Sequence, residues 1–194
     1  LPAPYAQSRP VQVQEVELDA PGPGEVLVKI KVAGLCHSDL SVINGDRPRV
    51  MPLAMGHESS GEVVEVGPGV ADLAVGDHVV TVFVPSCGSC TPCMSGRPAL
   101  CEPGARANTL GSLLGGGRRL HAGAEMLNHH LGVSCFAEYA VVSTRSCVRV
   151  PVPLSHREAA LFGCAVLTGA GAVINRARIK AGDTIAIVGL GGVG

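Results

Sequence analysis

The sequence predicts a mainly β domain, a barrel or sandwich with short helices, followed by a long helix and the first strand of an α/β unit. Three observations carry this. Six short β segments recur between residues 11 and 152, punctuated by Gly- and Pro-rich turns. Ser155 and Glu158 stand at capping-box spacing ahead of an Ala-rich run. A β-branched run at 184–188 feeds the glycine cluster Gly189-Leu190-Gly191-Gly192-Val193-Gly194.

Each element follows from its local pattern. Residues 11–18 alternate polar and apolar, Pro21-Gly22-Pro23-Gly24 breaks the chain, and Val26, Val28, Ile30 and Val32 then alternate with Leu27, Lys29 and Lys31. The same reading gives strands at 62–66, 78–84, 137–142 and 148–152. Between Ser86 and Ser134 the periodicity disappears, although compact domains rarely tolerate more than about 15 structureless residues without a function or a staple. That stretch holds four cysteines. A buried helix is expected over about 156–175, because its apolar run at 159–174 falls short of the ~20 residues that span a bilayer.

Composition removes whole classes of function. With 15 Lys and Arg against 16 Asp and Glu, the formal charge is −1, too weak a field to recruit nucleic acid or an anionic membrane. Arg118 and Arg119 make the densest cationic spot, and two adjacent arginines in a Gly-rich loop read as solvated decoration. At 46% apolar residues and only 3% aromatic, the core must be packed by Val, Ala, Leu and Gly. Eight cysteines clustered at close spacing, with no signal peptide at the start, suggest metal ligation in a reducing cytoplasm rather than secreted disulfides.

Cys87, Cys90, Cys93 and Cys101 are separated by two, two and seven residues, so one short loop can present four thiolates at tetrahedral corners. Zinc is the natural occupant. An iron–sulfur run would have a shorter last gap and a Pro after the final Cys, where Glu102 stands here. Four sulfurs leave no vertex for substrate, so this ion is expected to be structural. Cys36, His57 and Cys164 are also metal-ligand types, but they lie far apart in sequence. Spacing alone leaves open whether they are ligands or two core thiols and a turn histidine.

Gly34-Leu35-Cys36-His37-Ser38-Asp39-Leu40, Gly56-His57-Glu58, the four-cysteine lobe, Phe162-Gly163-Cys164 and the terminal glycine cluster together resemble the zinc-dependent alcohol dehydrogenases of the medium-chain dehydrogenase/reductase superfamily. The motifs run in family order over nearly the whole chain. The resemblance implies a GroES-like, partly open β-barrel at 1–154 with a structural zinc lobe at 86–103. The connecting helix and the start of a truncated Rossmann domain would follow at 155–194.

It further implies that Cys36, His57 and Cys164 hold a catalytic zinc whose open vertex activates an alcohol or polarises an aldehyde. Glu58 matches a carboxylate that can approach the metal, and Asp39 one that orients the ligand histidine. Ser38 matches a hydroxyl that accepts the alcohol proton. Ser41 stands where several relatives end that relay with His, so the proton must leave by another route.

His37 matches a pyrophosphate contact, and Thr168 a position near the nicotinamide. Gly189, Gly191 and Gly194 make a dinucleotide fingerprint after a predicted strand, with Gly192 and Val193 inside it. NAD and NADP are not separated, because the discriminating acidic position lies beyond residue 194. Phe83, His130 and Leu131 match positions lining the substrate cleft. Asp46 matches one acidic anchor of the glutathione-dependent formaldehyde dehydrogenases, while Pro48 and Ala105 replace the other acid and the Arg. Cys135 and Cys147 match no ligand position and are expected to be buried thiols.

The expected function is therefore alcohol to aldehyde or ketone interconversion, with hydride transfer to a nicotinamide cofactor. The 194 residues are expected to be an N-terminal portion that is inactive alone, and the full-length protein a homo-oligomer. Two readings compete: a non-catalytic zinc-stabilised structural or regulatory module, and a zinc-free quinone or enoyl reductase on the same fold. The latter generally lacks both ligand sets.

Overall fold

The computed structural model describes residues 5–151 and 153–194. A short helix α1 (Tyr5–Ser8) and a strand β1 (Glu17–Leu18) lead into β2 (Glu25–Ala33), α2 (His37–Asn44), β3 (Leu53–Ala54), β4 (Ser59–Val66) and β5 (His78–Thr81). Helices α3 (Thr91–Met94) and α4 (Glu102–Leu110) occupy the cysteine-rich region. They are followed by β6 (Leu120–Ala122), β7 (Glu125–His129), β8 (Tyr139–Ser143) and β9 (Cys147–Arg149). The chain then runs through α5 (His156–Ala159), a 3-10 turn Ala160–Gly163, α6 (Ala165–Gly171) and a π-helical turn Ala172–Ala177.

Five strands form an antiparallel sheet in the order β8-β2-β4-β5-β9, which curls into a partly open barrel. Register shifts between Leu27 and Val28 and between Ile30 and Val32 on β2 add local twist, which helps the sheet to curl. The barrel's fully buried residues are mostly valines, Val26, Val28, Val63, Val79 and Val142, as the near-absence of aromatics requires. A smaller sheet runs β1-β6-β7-β3, with β3 parallel to β7.

The mainly β architecture with short helices agrees with the expectation, and five local readings change. Residues 11–16 form no strand, and only Glu17–Leu18 pairs, with β6. The supposedly irregular stretch at 86–134 contains α4 and a β6–β7 hairpin turned at Gly123, whose φ of 61° favours glycine. The expected continuous helix at 156–175 is instead two helical pieces, His156–Gly163 and Ala165–Ala177, bent by 54° at Cys164. Cys164, with φ −140° and ψ −69°, sits outside helical geometry at the head of α6 rather than inside a helix. Residues 184–188 join no ladder among the described residues. The strand expected at 148–152 is seen as Cys147–Arg149, and its Val152 lies outside the described residues.

No single helix among the described residues is long and apolar enough to cross a membrane.

Candidate metal centres

Four of the seven candidate ligands stand at helix N-caps: Cys36 before α2, Cys90 before α3, Cys101 before α4 and Cys164 before α6. An N-cap faces backbone N–H groups without helical partners, which favours an anion such as a thiolate. At two of them the bond is formed: the Cys36 sulfur accepts Ser38 N–H at 3.5 Å, and the Cys101 sulfur accepts Gly104 N–H at 3.3 Å.

In the lobe, the sulfurs of Cys87, Cys90, Cys93 and Cys101 all lie within 4.8 Å of one another. Cys101 also accepts Cys87 N–H at 3.2 Å, and Cys87 accepts Cys90 N–H at 3.4 Å and the Ser89 hydroxyl at 3.7 Å. The backbone N–H groups of Ser89 and Cys90 bring the Cys87 thiol down to about 6. Desolvation and the neighbouring cysteines push Cys93 up to about 12. Ionising all four sulfurs at this separation calls for a cation at their centre, and the donor set fits zinc.

The second cluster is assembled from three parts of the chain. Cys36 comes from the end of β2, His57 and Glu58 from the approach to β4, and Cys164 from the helix break. Their ligand atoms all lie within 4.8 Å of one another, and the Cys36 and Cys164 sulfurs are 3.9 Å apart. Two sulfurs each bonded at ~2.3 Å to a tetrahedral zinc would stand ~3.8 Å apart.

His57 is buried, and its Nδ1 lies 2.9 Å from Asp39 Oδ1, which leaves Nε2 as the nitrogen free for a metal. Asp39 Oδ2 accepts Cys36 N–H at 3.0 Å, so one carboxylate fixes both the histidine and the cysteine loop. Gly34 packs so closely on Glu58 that a Cβ there would lie 2.5 Å from its Oε1.

The electrostatics are those of a pocket in which several acidic groups compete to ionise. Burial opposes ionisation of Asp39, but the His57 bond holds its carboxyl below the usual range and correspondingly raises His57. Burial also works against the Cys36 thiolate, yet the Ser38 N–H and His57 bring it down overall. Burial, then the charges of Cys36 and Glu58, push the Cys164 thiol up to about 12. Burial, with Asp39 close by, raises Glu58. A divalent ion bound to both sulfurs would relieve this conflict.

Around this cluster the Phe83 ring meets His57 edge-on at 5.9 Å, and its carbonyl is pinned by the Asn108 amide at 2.7 Å. His130 meets the other side of His57 at 5.3 Å, with its Nδ1 3.4 Å from Asp39 Oδ1. It is 1% exposed, and neither ring nitrogen has a hydrogen-bond partner. Burial, and then the charge of His57, brings it down to about 4. Leu131 follows in a turn at φ 54°, with no contact to the cluster among those described.

Ser38, half-buried, accepts a 3.3 Å bond from Arg47 Nη1, while Ser41 donates to the His37 carbonyl at 3.1 Å. His37 is exposed at the first turn of α2. Thr168 lies one helical turn after Cys164, its N–H donating to the Cys164 carbonyl at 2.9 Å, and both it and the glycine cluster are exposed. The glycine cluster folds back on α6: a Cβ on Gly169 would meet the Val193 carbonyl, and one on Gly192 would touch Ala165.

Sequence reading missed Arg47 on Ser38, Arg49 with its buried Nε, and Ser134, whose hydroxyl bridges His130 N–H and the Ala54 carbonyl. A short polar residue four positions after His130 was the only available signal for Ser134. Cys135 is buried beneath Glu58, donating to its carbonyl at 3.5 Å, whereas Cys147 is only half-buried.

Comparison with known proteins agrees with this geometry. Residues 22–152 match the alcohol dehydrogenase GroES-like domain. Over 190 residues the chain is 44% identical to a Mycobacterium tuberculosis protein provisionally named alcohol dehydrogenase D, a match covering 98% of this chain and 51% of that protein. It is 40% identical to an S-(hydroxymethyl)glutathione dehydrogenase of Synechocystis, covering 98% of this chain and 52% of the relative. The chain thus spans about half the length of the curated relatives it matches.

Among solved structures, an alcohol dehydrogenase zinc-binding domain protein from Burkholderia ambifaria superposes with a TM-score of 0.81 at 36% identity, over 88% of this chain and 46% of that one. Benzyl alcohol dehydrogenase from Acinetobacter calcoaceticus gives 0.76 at 36% identity, over 84% and 44%. With the family's domain model matched over most of its length and both cysteine clusters assembled, the chain belongs to the alcohol dehydrogenase GroES-like domain family.

Proposed function

We propose that this chain is the metal-binding catalytic part of an alcohol dehydrogenase that interconverts a primary alcohol and its aldehyde with NAD or NADP. The observation that carries the reading is the pairing of a four-sulfur cluster with a second cluster of two sulfurs, one imidazole and the Glu58 carboxylate; a tetrahedral ion held by Cys36, His57 and Cys164 keeps its fourth vertex for substrate when Glu58 stands off. Cys36, His57 and Cys164 hold the catalytic zinc, and Cys87, Cys90, Cys93 and Cys101 the structural one. When bound, the catalytic zinc supplies a Lewis acid that lowers the pKa of an alcohol and polarises a carbonyl.

The chain's own side chains do the rest. Asp39 fixes the His57 tautomer, and Glu58 offers a carboxylate at the metal cluster while substrate exchanges. Ser38 takes the alcohol proton and passes it to water, because Ser41 is already donating to the His37 carbonyl and makes no onward step. Phe83 and His130 wall the cleft beside His57, with Leu131 at its edge.

His37, Thr168 and the loop from Gly189 through Gly191, Gly192 and Val193 to Gly194 face the coenzyme. The division at residue 154, between the catalytic domain and the coenzyme-binding start, belongs to the same reading. So does a homo-oligomeric full-length enzyme. One relative's name points to a glutathione adduct as substrate. Pro48 and Ala105 remove the acid and the Arg expected for it, so a medium-sized or aromatic primary alcohol is the better fit.

Metal analysis tests the reading. The purified chain is expected to hold two zinc ions, one per cluster. A single zinc per chain would favour the structural or regulatory module. Alcohol oxidation is expected to be feeble for the 194 residues alone and to appear when they are joined to a complete dinucleotide-binding domain.

A further inference from the structure

We propose that Ser60, His78 and His156 form a latch that seats the Cys164 segment on the barrel, making all three positioning residues for the open metal centre. The inference rests on the two-centre reading above. Cys164 follows Cys36 by 128 residues, and the last barrel strand ends at Arg149, with no regular structure among the described residues before His156. An arm of that kind brings a ligand to a fixed point only if something fastens it.

The fastening is visible at both ends of the arm. At its entry, the hydroxyl of wholly buried Ser60 lies 2.7 Å from His78 Nε2 and 2.9 Å from His156 Nδ1. The two rings meet at a tilt of 51° with centroids 4.0 Å apart. A hydroxyl has one proton, so Ser60 donates to one imidazole and accepts N–H from the other, which fixes both tautomers and joins β4, β5 and α5 at one oxygen.

At its exit, Gly163, the residue before Cys164, packs so closely on β5 that any Cβ would overlap the Thr81 carbonyl. Thr81 is in turn bound through its hydroxyl to Ser59 at 2.9 Å. Ser59 and Ser60 are consecutive on β4 and point to opposite faces, so one dipeptide, two residues beyond His57, serves both holds. The position of Cys164 is thereby referred to the strand that also carries the ligand histidine.

The surroundings match a latch rather than a second reaction site. Ser60 is sealed from solvent, and His156 is faced by Lys31 of β2 and Glu62 of β4, themselves paired at 3.3 Å, and by His78 of β5. On its own helix, Glu158 is occupied by the Ser155 cap.

Ser60→Ala and His156→Leu in the zinc-loaded chain, titrated with a chelator, test the proposal. The four-cysteine zinc is expected to resist as in the unaltered chain, while the second zinc leaves at roughly 10-fold lower chelator. In the cobalt-substituted protein, the sulfur-to-metal charge-transfer band should weaken as Cys164 withdraws. His156→Gln, whose amide can still meet the Ser60 hydroxyl, should restore part of the loss. Retention of the second metal at unaltered chelator concentration by both variants overturns the latch.

If Ser60→Ala loses both metals together with its β-sheet circular dichroism, the half-exposed His156 variants decide. If the unaltered chain holds one zinc only, the two-centre reading fails instead. The latch is then read by protease cleavage within residues 156–171, and cleavage unchanged in the variants overturns it.

Discussion

The lobe and the cleft draw on the same donor chemistry and differ in where their order comes from. In the lobe, four cysteines lie within fifteen residues, two of them capping short helices, and backbone N–H groups of the same loop point at two of the sulfurs. No carboxylate stands among those four ligands, and Cys90 and Cys93 are only partly buried. In the cleft, the ligands come from distant segments, His57 and Cys164 are buried, and Asp39 and Glu58 crowd the cluster with negative charge. If both clusters hold metal as proposed, a local site of this kind depends on the ion to order its own loop. The long-range site is preassembled by the barrel and can leave a vertex open. Stability should therefore depend mainly on the first metal, and chemistry on the second.

The sharpest way to break that contrast is to remove one sulfur from each. Cys101→Ser, at a fully buried position, should release the lobe's zinc and cost on the order of 5 kcal/mol, lowering the melting temperature by about 10 °C or more. Protease should then cut within 86–103. An unchanged melting curve would mean that the lobe is ordered without its ion. Cys164→Ala should do the reverse, taking zinc from two per chain to one while costing only about 1 kcal/mol of stability in thermal unfolding.

Acid should act on the cleft's supporting wall. His129, buried in β7 with Nε2 accepting Arg119 N–H at 3.1 Å, is held at about 4 by burial and then by Arg118 and Arg119. The unfolded chain keeps the ordinary histidine value near 6.5, so it binds the proton first. Stability is thus full above about 6.5 and lost as pH falls toward 4, by about 2–3 kcal/mol in total. The difference in unfolding free energy between the unaltered chain and His129→Gln should carry this slope, and a flat difference over that range refutes it.

Asp39→Asn gives the smallest effect. It keeps a group that can accept the Cys36 N–H but loses the carboxylate on His57, and should weaken the cleft metal about 10- to 100-fold by chelator competition without touching the lobe.

The sequence made the lobe's proximity legible, because fourteen residues separate its first and last sulfur and the chain can hardly keep them apart. The mainly β class was equally visible in the alternation of Val26 and Val28 with Lys29 and Lys31. The convergence of Cys36, His57 and Cys164 was visible only through resemblance, since no periodicity encodes a contact across 128 residues. The helix break at Cys164 escaped because Ala-rich composition favours continuity, whereas the close packing of Gly163 on Thr81 imposes the bend. The β6–β7 hairpin was hidden by its brevity, with three and five residues flanking Gly123. Residues 184–188 have the composition of a strand but no ladder partner here, and composition alone does not supply one.

The cysteines at helix starts carry a cost that sequence optimisation would expose. Serine is the better residue for opening a helix, and exchanging it into positions 36, 90, 101 and 164 would suit each helix start while removing two sulfurs from each proposed metal cluster. A redesign guided by polypeptide stability alone would converge on a barrel without the proposed ligands, so these four positions have to be frozen before such a search begins.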